Sequence, residues 1–310
     1  NNICYKGVRC MVRKSISSWI KAIRPFTFTG SVMPVTLGAV FAICVAQFRL
    51  GYFLLSILGI VSLQASANLL NDYEDYVNEV DTVDSQLSSG VIIDKRLTPE
   101  QVLMAGRIMM GFGFLIGIFL TVQRGLFILT IGLIGLACAY FYTGKPLTLK
   151  YRGLGAPVVF LLFGPFMTVG SYYVQTQRLD LSSVFISIPL GLMTTAILHA
   201  NDIRDINLDK KAGIKTLSII AGEAGAHKIY DALLLVSYIS VLLMVFYRII
   251  PYWSLLCFIT APGAFKCMKK LRTSGSTTTG LATFDKDTAE LNAKFAIILI
   301  LTVLIPNIVK

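Results

Sequence analysis

The chain has 310 residues, of which 55% are hydrophobic, and its mean hydropathy is +0.70. This composition excludes a soluble globular protein of this size and indicates a polytopic membrane protein. The formal net charge of +11 does not indicate nucleic-acid binding, because the basic residues follow the loops between the apolar runs.

Nine apolar runs of roughly transmembrane length follow one another along the chain and predict an all-α fold. Charge clusters and Pro or Gly residues separate them. The predicted spans are 30–48, 52–71, 102–121, 125–143, 155–175, 183–201, 229–247, 251–268 and 291–308. The eighth span contains Pro251 and Pro262 and has the weakest pattern. The basic segment 1–22 lacks the apolar core of a secretory signal, and we expect residues 1–310 to form a single transmembrane domain.

The basic residues are distributed unevenly over the predicted loops. Of the 28 Lys and Arg residues, 20 lie in the predicted loops on one side of the membrane, and three more, Arg107, Lys266 and Lys294, lie within predicted spans near that side. The five on the opposite side are Arg49, Arg124, Arg178, Arg248 and Lys310. Because cytoplasmic loops are enriched in Lys and Arg, the N-terminus and the C-terminal ends of the even-numbered spans are predicted to be cytoplasmic. Asp180 is the only acidic residue predicted on the outer side.

A first acidic cluster, "NLLNDYEDYVNEVD" at 68–81, follows the second span. Its polar side chains have the i, i+3, i+4, i+7 spacing that places them on one face of a helix. They are Asn68, Asn71, Asp72 and Asp75, with Asp81 following beyond the expected end of the helix. The spacing predicts that these oxygen donors converge.

A second acidic cluster, "HANDIRDINLDKKAGIKTL" at 199–217, follows the sixth span and again has Asn and Asp residues at helical spacing. Asp205 and Asp209 are one helical turn apart, Asn201 lies one turn before Asp205, and Arg204 is adjacent. Because both clusters end even-numbered spans, they face the same side and are expected to meet across one cavity. Several carboxylates brought together repel one another unless cations neutralise them.

Oxygen-only Asp and Asn sites favour hard cations such as Mg²⁺, which commonly binds one or two carboxylates together with substrate phosphates. A diphosphate held with magnesium is therefore the predicted ligand. Nearby basic residues, Lys150, Arg204 and Lys215 among them, are suited to grip phosphate oxygens. The chain lacks the glycine-rich nucleotide-binding loops, and a membrane enzyme suits a lipid diphosphate, so a polyprenyl diphosphate is the expected substrate.

Several segments resemble the UbiA superfamily of intramembrane prenyltransferases. The two acidic clusters are similar to its two aspartate-rich motifs. Four further segments, "IRPFTFTGSVMPVTLGAV", "YFYTGKPLTLKYRGLG", "FGPFMTVGSYYVQT" and "AGIKTL", resemble the branch of 1,4-dihydroxy-2-naphthoate polyprenyltransferases and vitamin K enzymes with a UbiA domain. The match runs in order along nearly the whole chain.

The resemblance implies nine transmembrane helices around a central cavity and assigns roles to matching residues. Metal binding is implied for Asp72, Asp75, Asp81, Asp205 and Asp209. Catalysis is implied for Asp72, Asp75, Asp205, Asp209, Arg204 and Lys150. Substrate binding is implied for Asn68, Asn71, Asn201, Lys215, Tyr142 and Arg24.

Two positions depart from the family pattern. The family's "GLG" is usually followed by Asp or Glu, whereas Gly155 precedes Ala156 here. Asp202 stands where this branch often has a second asparagine, so the second cluster has one more carboxylate. The first departure leaves the handling of the aromatic acceptor open, and the second predicts either tighter metal binding or an extra solvated charge.

The expected function is Mg²⁺-dependent transfer of a polyprenyl group to 1,4-dihydroxy-2-naphthoate, with decarboxylation, in menaquinone biosynthesis. Alternative acceptors are 4-hydroxybenzoate, homogentisate and menadiol. A cation-coupled transporter is an alternative of another class, since intramembrane carboxylates also line ion pathways. No nucleic-acid or obligate protein partner is expected. We expect a bacterial cytoplasmic membrane location, with the active site facing the cytoplasm.

Overall fold

The computed structural model describes residues 16–45, 47–77, 89–144, 146–211, 213–274 and 280–308. These residues are almost entirely helical. The helices are α1 (16–23), α2 (Phe28–Ile43), α3 (Leu50–Val77), α4 (Pro99–Arg124), α5 (Leu126–Thr143), α6 (Gly155–Leu161), α7 (Met167–Thr176), α8 (Leu181–Arg204), α9 (Ile206–Lys211), α10 (Leu217–Phe246), α11 (Ala261–Ser274) and α12 (Phe284–Ile308). Within the described ranges no β-strand is present, and one isolated parallel bridge joins Arg152 to Lys215.

Seven helical segments of the described chain are long and apolar enough to cross a bilayer. They are Ile16–Ile43, Leu50–Val77, Pro99–Arg124, Gly155–Thr176, Leu181–Arg204, Leu217–Phe246 and Phe284–Ile305. These segments confirm an integral membrane protein with an all-α fold, whereas a count of nine spans stays a prediction.

The two remaining predicted spans differ from long regular helices. The fourth corresponds to the shorter apolar segment Leu126–Tyr142. The eighth is divided into a 3₁₀ segment, Tyr252–Thr260, and helix α11. Pro262 lies in the first turn of α11, where its missing N–H leaves no helical hydrogen bond unmade. Pro262, one of the two prolines that weaken the sequence pattern, therefore lies at the junction between the 3₁₀ segment and α11.

The chain divides into two compact units. The first comprises residues 1–28 and 58–115, and the second comprises 29–57 and 116–310. The first unit has its own apolar core, where α1, α3 and α4 contribute Ala22, Leu69 and Val102, all at most 1% exposed. This packing fixes the end of α3 that carries the first acidic cluster.

The second unit is built around α8, which packs against α10 and α12. Leu190 of α8, Leu234 of α10 and Leu299 of α12 are buried in one apolar cluster. Gly164, in the π-helical turn Leu162–Phe166, lies against Gly191 of α8, so that a Cβ added at either glycine would lie 3.0 Å from the other's Cα. Without side chains at these two positions the backbones approach closely, as at many membrane helix contacts.

Helix α2 also approaches α7 closely, at Gly38. A Cβ built on Gly38 would overlap the carbonyl oxygen of Thr168, and Ser171 donates to the carbonyl of Val35 at 2.6 Å beside it. We expect Gly38→Ala to force the two helices apart and lower the free energy of unfolding by about 1–3 kcal/mol. The midpoint of thermal aggregation, followed by size-exclusion chromatography, measures this change.

The matched control is Gly132→Ala in α5, where an added Cβ has open space around it. Alanine has the higher helix propensity, so this variant should keep or slightly raise the midpoint. Equal midpoints for the two variants would contradict the close contact between α2 and α7.

Candidate active site

The first acidic cluster is positioned by a tight turn before α2. Arg24 has a left-handed backbone, with φ 50°, and the 3₁₀ turn Pro25–Thr27 follows it. The Asn68 side chain donates to the carbonyl of Ile23 at 2.7 Å and to the hydroxyl of Thr27 at 2.9 Å. Asn68 is only 7% exposed, so it holds this turn against α3.

This turn brings Arg24 to Asp72. The guanidinium forms an ion pair with Oδ1 of Asp72, whose side chain is 2% exposed. The other carboxylate oxygen accepts from the hydroxyl of Ser89. A buried carboxylate needs such partners, because leaving one ionised and unpaired is costly. The sequence did not pair Arg24 or Ser89 with Asp72, because they lie 48 and 17 residues away.

The other members of the first cluster have different surroundings. Asn71 and Asp75 lie on α3 and are half-buried. Asp81 lies outside the described residues. The structure thus brings Asn68, Asp72 and Arg24 together in the first unit and leaves the metal-binding role of Asp81 a prediction.

Arg204 organises the second acidic cluster at the end of α8. Its Nε and Nη2 donate to the two oxygens of Asp205 at 2.8 and 2.7 Å, and Nη2 also contacts Oδ1 of Asn201. Its Nη1 pairs with Oδ2 of Asp285 at 2.8 Å. The planar five-donor fork of arginine suits this arrangement. The Arg204 side chain therefore links three parts of the chain: the end of α8, Asp205 directly after it, and the first turn of α12.

Four carboxylates in this unit are buried. Asp202, Asp205, Asp209 and Asp285 are 5–8% exposed. Lys150 interacts electrostatically with Asp202, and one oxygen of Asp285 is buried without a hydrogen-bond partner in the described chain. The carboxylates outnumber the basic side chains, Arg204 and Lys150, that the structure brings near them. This excess of negative charge and the unpaired oxygen suit a bound cation.

Tyr142 belongs to the same group of side chains. A Cβ added to Gly155 would lie 3.3 Å from the Tyr142 hydroxyl. The phenol also interacts electrostatically with Asp202 and Asp209. Ala156, which follows Gly155, is buried. Asp202 is thus buried and not a solvated charge, and the metal-binding role that the sequence left open for it stays a prediction.

The loop that carries Lys150 is tied to the loop before α10. The parallel bridge joins Arg152 to Lys215, and the Arg152 guanidinium donates to the carbonyl of Pro146 at 3.2 Å. Lys150 is half-buried and Lys215 is exposed. The two predicted phosphate-binding lysines therefore lie on two backbone segments that this bridge joins.

The donor chemistry of the second cluster fits a magnesium ion. Its candidate ligands are carboxylate and amide oxygens, the type that Mg²⁺ prefers. Within the ranges that the structure describes, no group of three His, Cys, Asp or Glu side chains is arranged to hold a metal ion by itself. Magnesium commonly completes its coordination with water and substrate phosphates.

Comparison with known proteins identifies the family to which these residues belong. A family model described as the UbiA prenyltransferase family matches residues 31–284. The chain belongs to the UbiA prenyltransferase family. The resemblance inferred from the two acidic clusters is therefore confirmed, and the protein is an aromatic prenyltransferase rather than a cation-coupled transporter.

Two curated relatives match this prenyltransferase over most of their length. The 1,4-dihydroxy-2-naphthoate octaprenyltransferase of Bacillus subtilis (strain 168) is 31% identical over 282 residues, which cover 91% of this chain and 90% of the relative. The UbiA prenyltransferase domain-containing protein 1 homolog of Drosophila melanogaster is also 31% identical, over 91% of this chain and 78% of the relative.

The fold of the prenyltransferase is shared with a solved structure. A UbiA homolog from Archaeoglobus fulgidus, bound to GPP and Mg²⁺, superposes with a TM-score of 0.61 over 91% of this chain and 99% of that chain. The two sequences are 13% identical, so this similarity supports the architecture alone.

Asp285 is the main site residue that sequence reasoning missed. It lies 81 positions after Arg204 and begins the last helix, "TFDKDTAEL". Its only sequence signal is a pair of acidic residues in the first turn of α12, a common feature at helix N-termini. The ion pair with Arg204 depends on tertiary packing and is not predictable from spacing.

Proposed function

We propose that this prenyltransferase transfers a polyprenyl group from a polyprenyl diphosphate to 1,4-dihydroxy-2-naphthoate, with Mg²⁺ as cofactor and loss of CO₂. The observation that carries the proposal is the 31% identity to a 1,4-dihydroxy-2-naphthoate octaprenyltransferase over about nine-tenths of both chains. Menaquinone biosynthesis is the corresponding process. The buried acidic cluster around Arg204 supports binding of a cation and a diphosphate.

The residues proposed to hold magnesium are Asp72, Asp75 and Asp81 of the first cluster and Asp205 and Asp209 of the second. We add Asp202, which is buried in the second cluster, and Asp285, which is buried beside it in an ion pair with Arg204. When bound, the ion neutralises charge on the diphosphate as the allylic C–O bond breaks. The amide groups of Asn68, Asn71 and Asn201 supply further polar contacts.

The basic residues are proposed to bind the leaving diphosphate directly. The allylic C–O bond breaks with its electron pair on the diphosphate, so negative charge grows on those oxygens. Arg204, Lys150 and Lys215 are suited to stabilise that charge, and Arg24 is suited to the same role beside Asp72. Tyr142, among the carboxylates of the second cluster, is proposed to orient the substrate.

The bond-forming step joins the allylic carbon to an aromatic ring carbon of the acceptor. The carboxylate of the acceptor leaves as CO₂, and the product is a prenylated naphthoquinol. Because water would capture an allylic cation, the chemistry requires apolar surroundings. The long apolar helices of this chain are suited to provide them.

We also propose nine membrane helices in one domain spanning residues 1–310, with the segment Leu126–Tyr142 and the region of α11 as the two spans beyond the seven. The acidic clusters would then face the cytoplasm, as the distribution of basic residues predicts. A bacterial cytoplasmic membrane is consistent with the Bacillus relative.

The experiment compares acceptors with the protein reconstituted in lipid. Radiolabelled geranylgeranyl or longer polyprenyl diphosphate is supplied with Mg²⁺ and with 1,4-dihydroxy-2-naphthoate, 4-hydroxybenzoate, homogentisate or menadiol. We expect a prenylated naphthoquinol with one CO₂ per product, loss of the product in EDTA, and recovery when Mg²⁺ is restored. Product from a different acceptor alone would reassign the acceptor, and no product from any pair by folded protein would refute the proposal.

A further inference from the structure

A polar cavity lies within the second unit, beside the start of α8. It has a volume of about 310 Å³ and is lined by residues from the α2–α3 loop, the end of α4 and the end of α7. Its polar lining residues are Gln47, Arg49, Arg124, Gln175, Thr176 and Gln177. The lining contains two arginines and no carboxylate, so the cavity is electropositive.

The two arginines share one aromatic ring. The guanidinium carbon of Arg124 lies 4.9 Å from the ring centre of Tyr52, and that of Arg49 lies 5.9 Å from it. Two like charges held this close repel each other unless an anion lies between or beside them. No ion pair of the described chain includes either arginine.

Arg124 is fixed in place by the backbone of α7. It is 5% exposed, and its Nε and Nη2 donate to the carbonyls of Val174 and Gln175 at 2.5 and 2.8 Å. Arginine has five N–H donors, so these two bonds leave further donors on the same guanidinium. The buried cation is therefore oriented by protein and retains hydrogen-bonding capacity.

A buried amide donor in the cavity lacks a partner. Gln175 is 2% exposed, and its Oε1 accepts from the backbone N–H of Arg49 at 2.7 Å. That bond fixes which end of the amide is the NH₂ group. The NH₂ nitrogen is buried and makes no hydrogen bond to any described residue. A buried donor without a hydrogen bond is destabilising, and an acceptor on a bound ligand would satisfy it.

The cavity is distant from the second acidic cluster. Residues 175–177 precede the first turn of α8, whereas Arg204 ends that helix after 24 residues. At 1.5 Å per residue α8 is about 36 Å long, which is more than the roughly 30 Å thickness of a bilayer's hydrocarbon core. Asp180, the acidic residue nearest along the chain, caps α8 through the N–H of Ser182 at 2.8 Å.

We propose that this cavity binds a phosphate group. Guanidinium groups match phosphate oxygens in geometry and charge, and the cavity has room for more than a halide or a water molecule. The first turn of α3, which begins at Leu50 beside the cavity, adds the positive end of a helix dipole. Phosphate of this chemistry is present both in lipid headgroups and free in solution.

Delipidated protein in a neutral detergent tests the proposal with both sources. Equilibrium dialysis measures radiolabelled inorganic phosphate, and native mass spectrometry measures short-chain phosphatidylglycerol against a phosphate-free glycolipid. Arg49→Gln should weaken binding by about tenfold, since it removes one charged donor. Gln175→Glu should weaken it further, because a carboxylate would pair with the arginines in place of the phosphate.

Arg248→Gln is the matched control, because Arg248 is another exposed arginine at a helix end and does not line the cavity. It should bind like the unaltered protein. Binding of the lipid alone would assign the cavity to a headgroup, and binding of inorganic phosphate alone would assign it to the free ion. Binding of neither, or equal binding by both cavity variants and the control, would overturn the proposal. If Gln175→Glu fails to fold, Arg49→Gln decides the result.

Discussion

Arg204→Lys is expected to lower prenyl transfer by about 10²–10³-fold. Arg204 contacts Asp205 through two nitrogens and Asp285 through a third. A lysine ammonium is a point charge and cannot span both carboxylates with the same geometry. The change should also lower the free energy of unfolding by about 3 kcal/mol, because a buried carboxylate loses its partner. Radiolabelled product per folded protein measures the first effect, and thermal aggregation measures the second.

Arg272→Lys is the matched control for this prediction. Arg272 pairs with Asp231 at 2.6 Å, but its side chain is 67% exposed, and exposed ion pairs contribute little to stability. Both the rate and the thermal midpoint should therefore stay near the values of the unaltered protein. An Arg204→Lys protein that behaves like the control would show that a positive charge alone suffices at this position.

Asp72→Asn is expected to reduce prenyl transfer by a similar factor of about 10²–10³. Asparagine keeps the shape of the side chain and can still accept from Arg24, so the first unit should fold. It removes the negative charge that we propose for cation binding. The measurement is the dependence of rate on Mg²⁺ concentration, which should shift to higher concentrations as the maximal rate falls.

Glu74→Gln provides the comparison for Asp72→Asn on the same helix. Glu74 lies two residues away and is exposed, whereas Asp72 is buried. Its loss should leave the rate and the Mg²⁺ dependence unchanged. Normal activity of Asp72→Asn would remove Asp72 from the proposed site.

Hydropathy and residue spacing predicted much of this architecture. Seven of the predicted spans correspond to long apolar helices, because a helix that crosses lipid needs about 20 apolar residues. Spacing also grouped Asn201, Arg204 and Asp205, since neighbours on a helix face are fixed by its period. The structure confirms that Arg204 contacts both of the other two.

Contacts between distant segments could not be predicted in this way. Ser89 reaches Asp72 from a separate loop, and Asp285 reaches Arg204 from the last helix. Each pairing depends on how helices pack, which spacing along one helix does not encode. Local chemistry also left one point open, because the sequence allowed Asp202 either to bind metal or to face water, and in the structure it is 5% exposed.

The bridge between Arg152 and Lys215 has a consequence for conformational entropy. Ordering the backbone of a free residue costs about 1–2 kcal/mol. The bridge joins the segments that carry Lys150 and Lys215. Part of the conformational entropy of these segments is therefore lost when the chain folds and not when a ligand binds. Binding to either lysine is thereby preorganised by the same backbone contact. A change that loosens one segment should weaken anion binding at both lysines together.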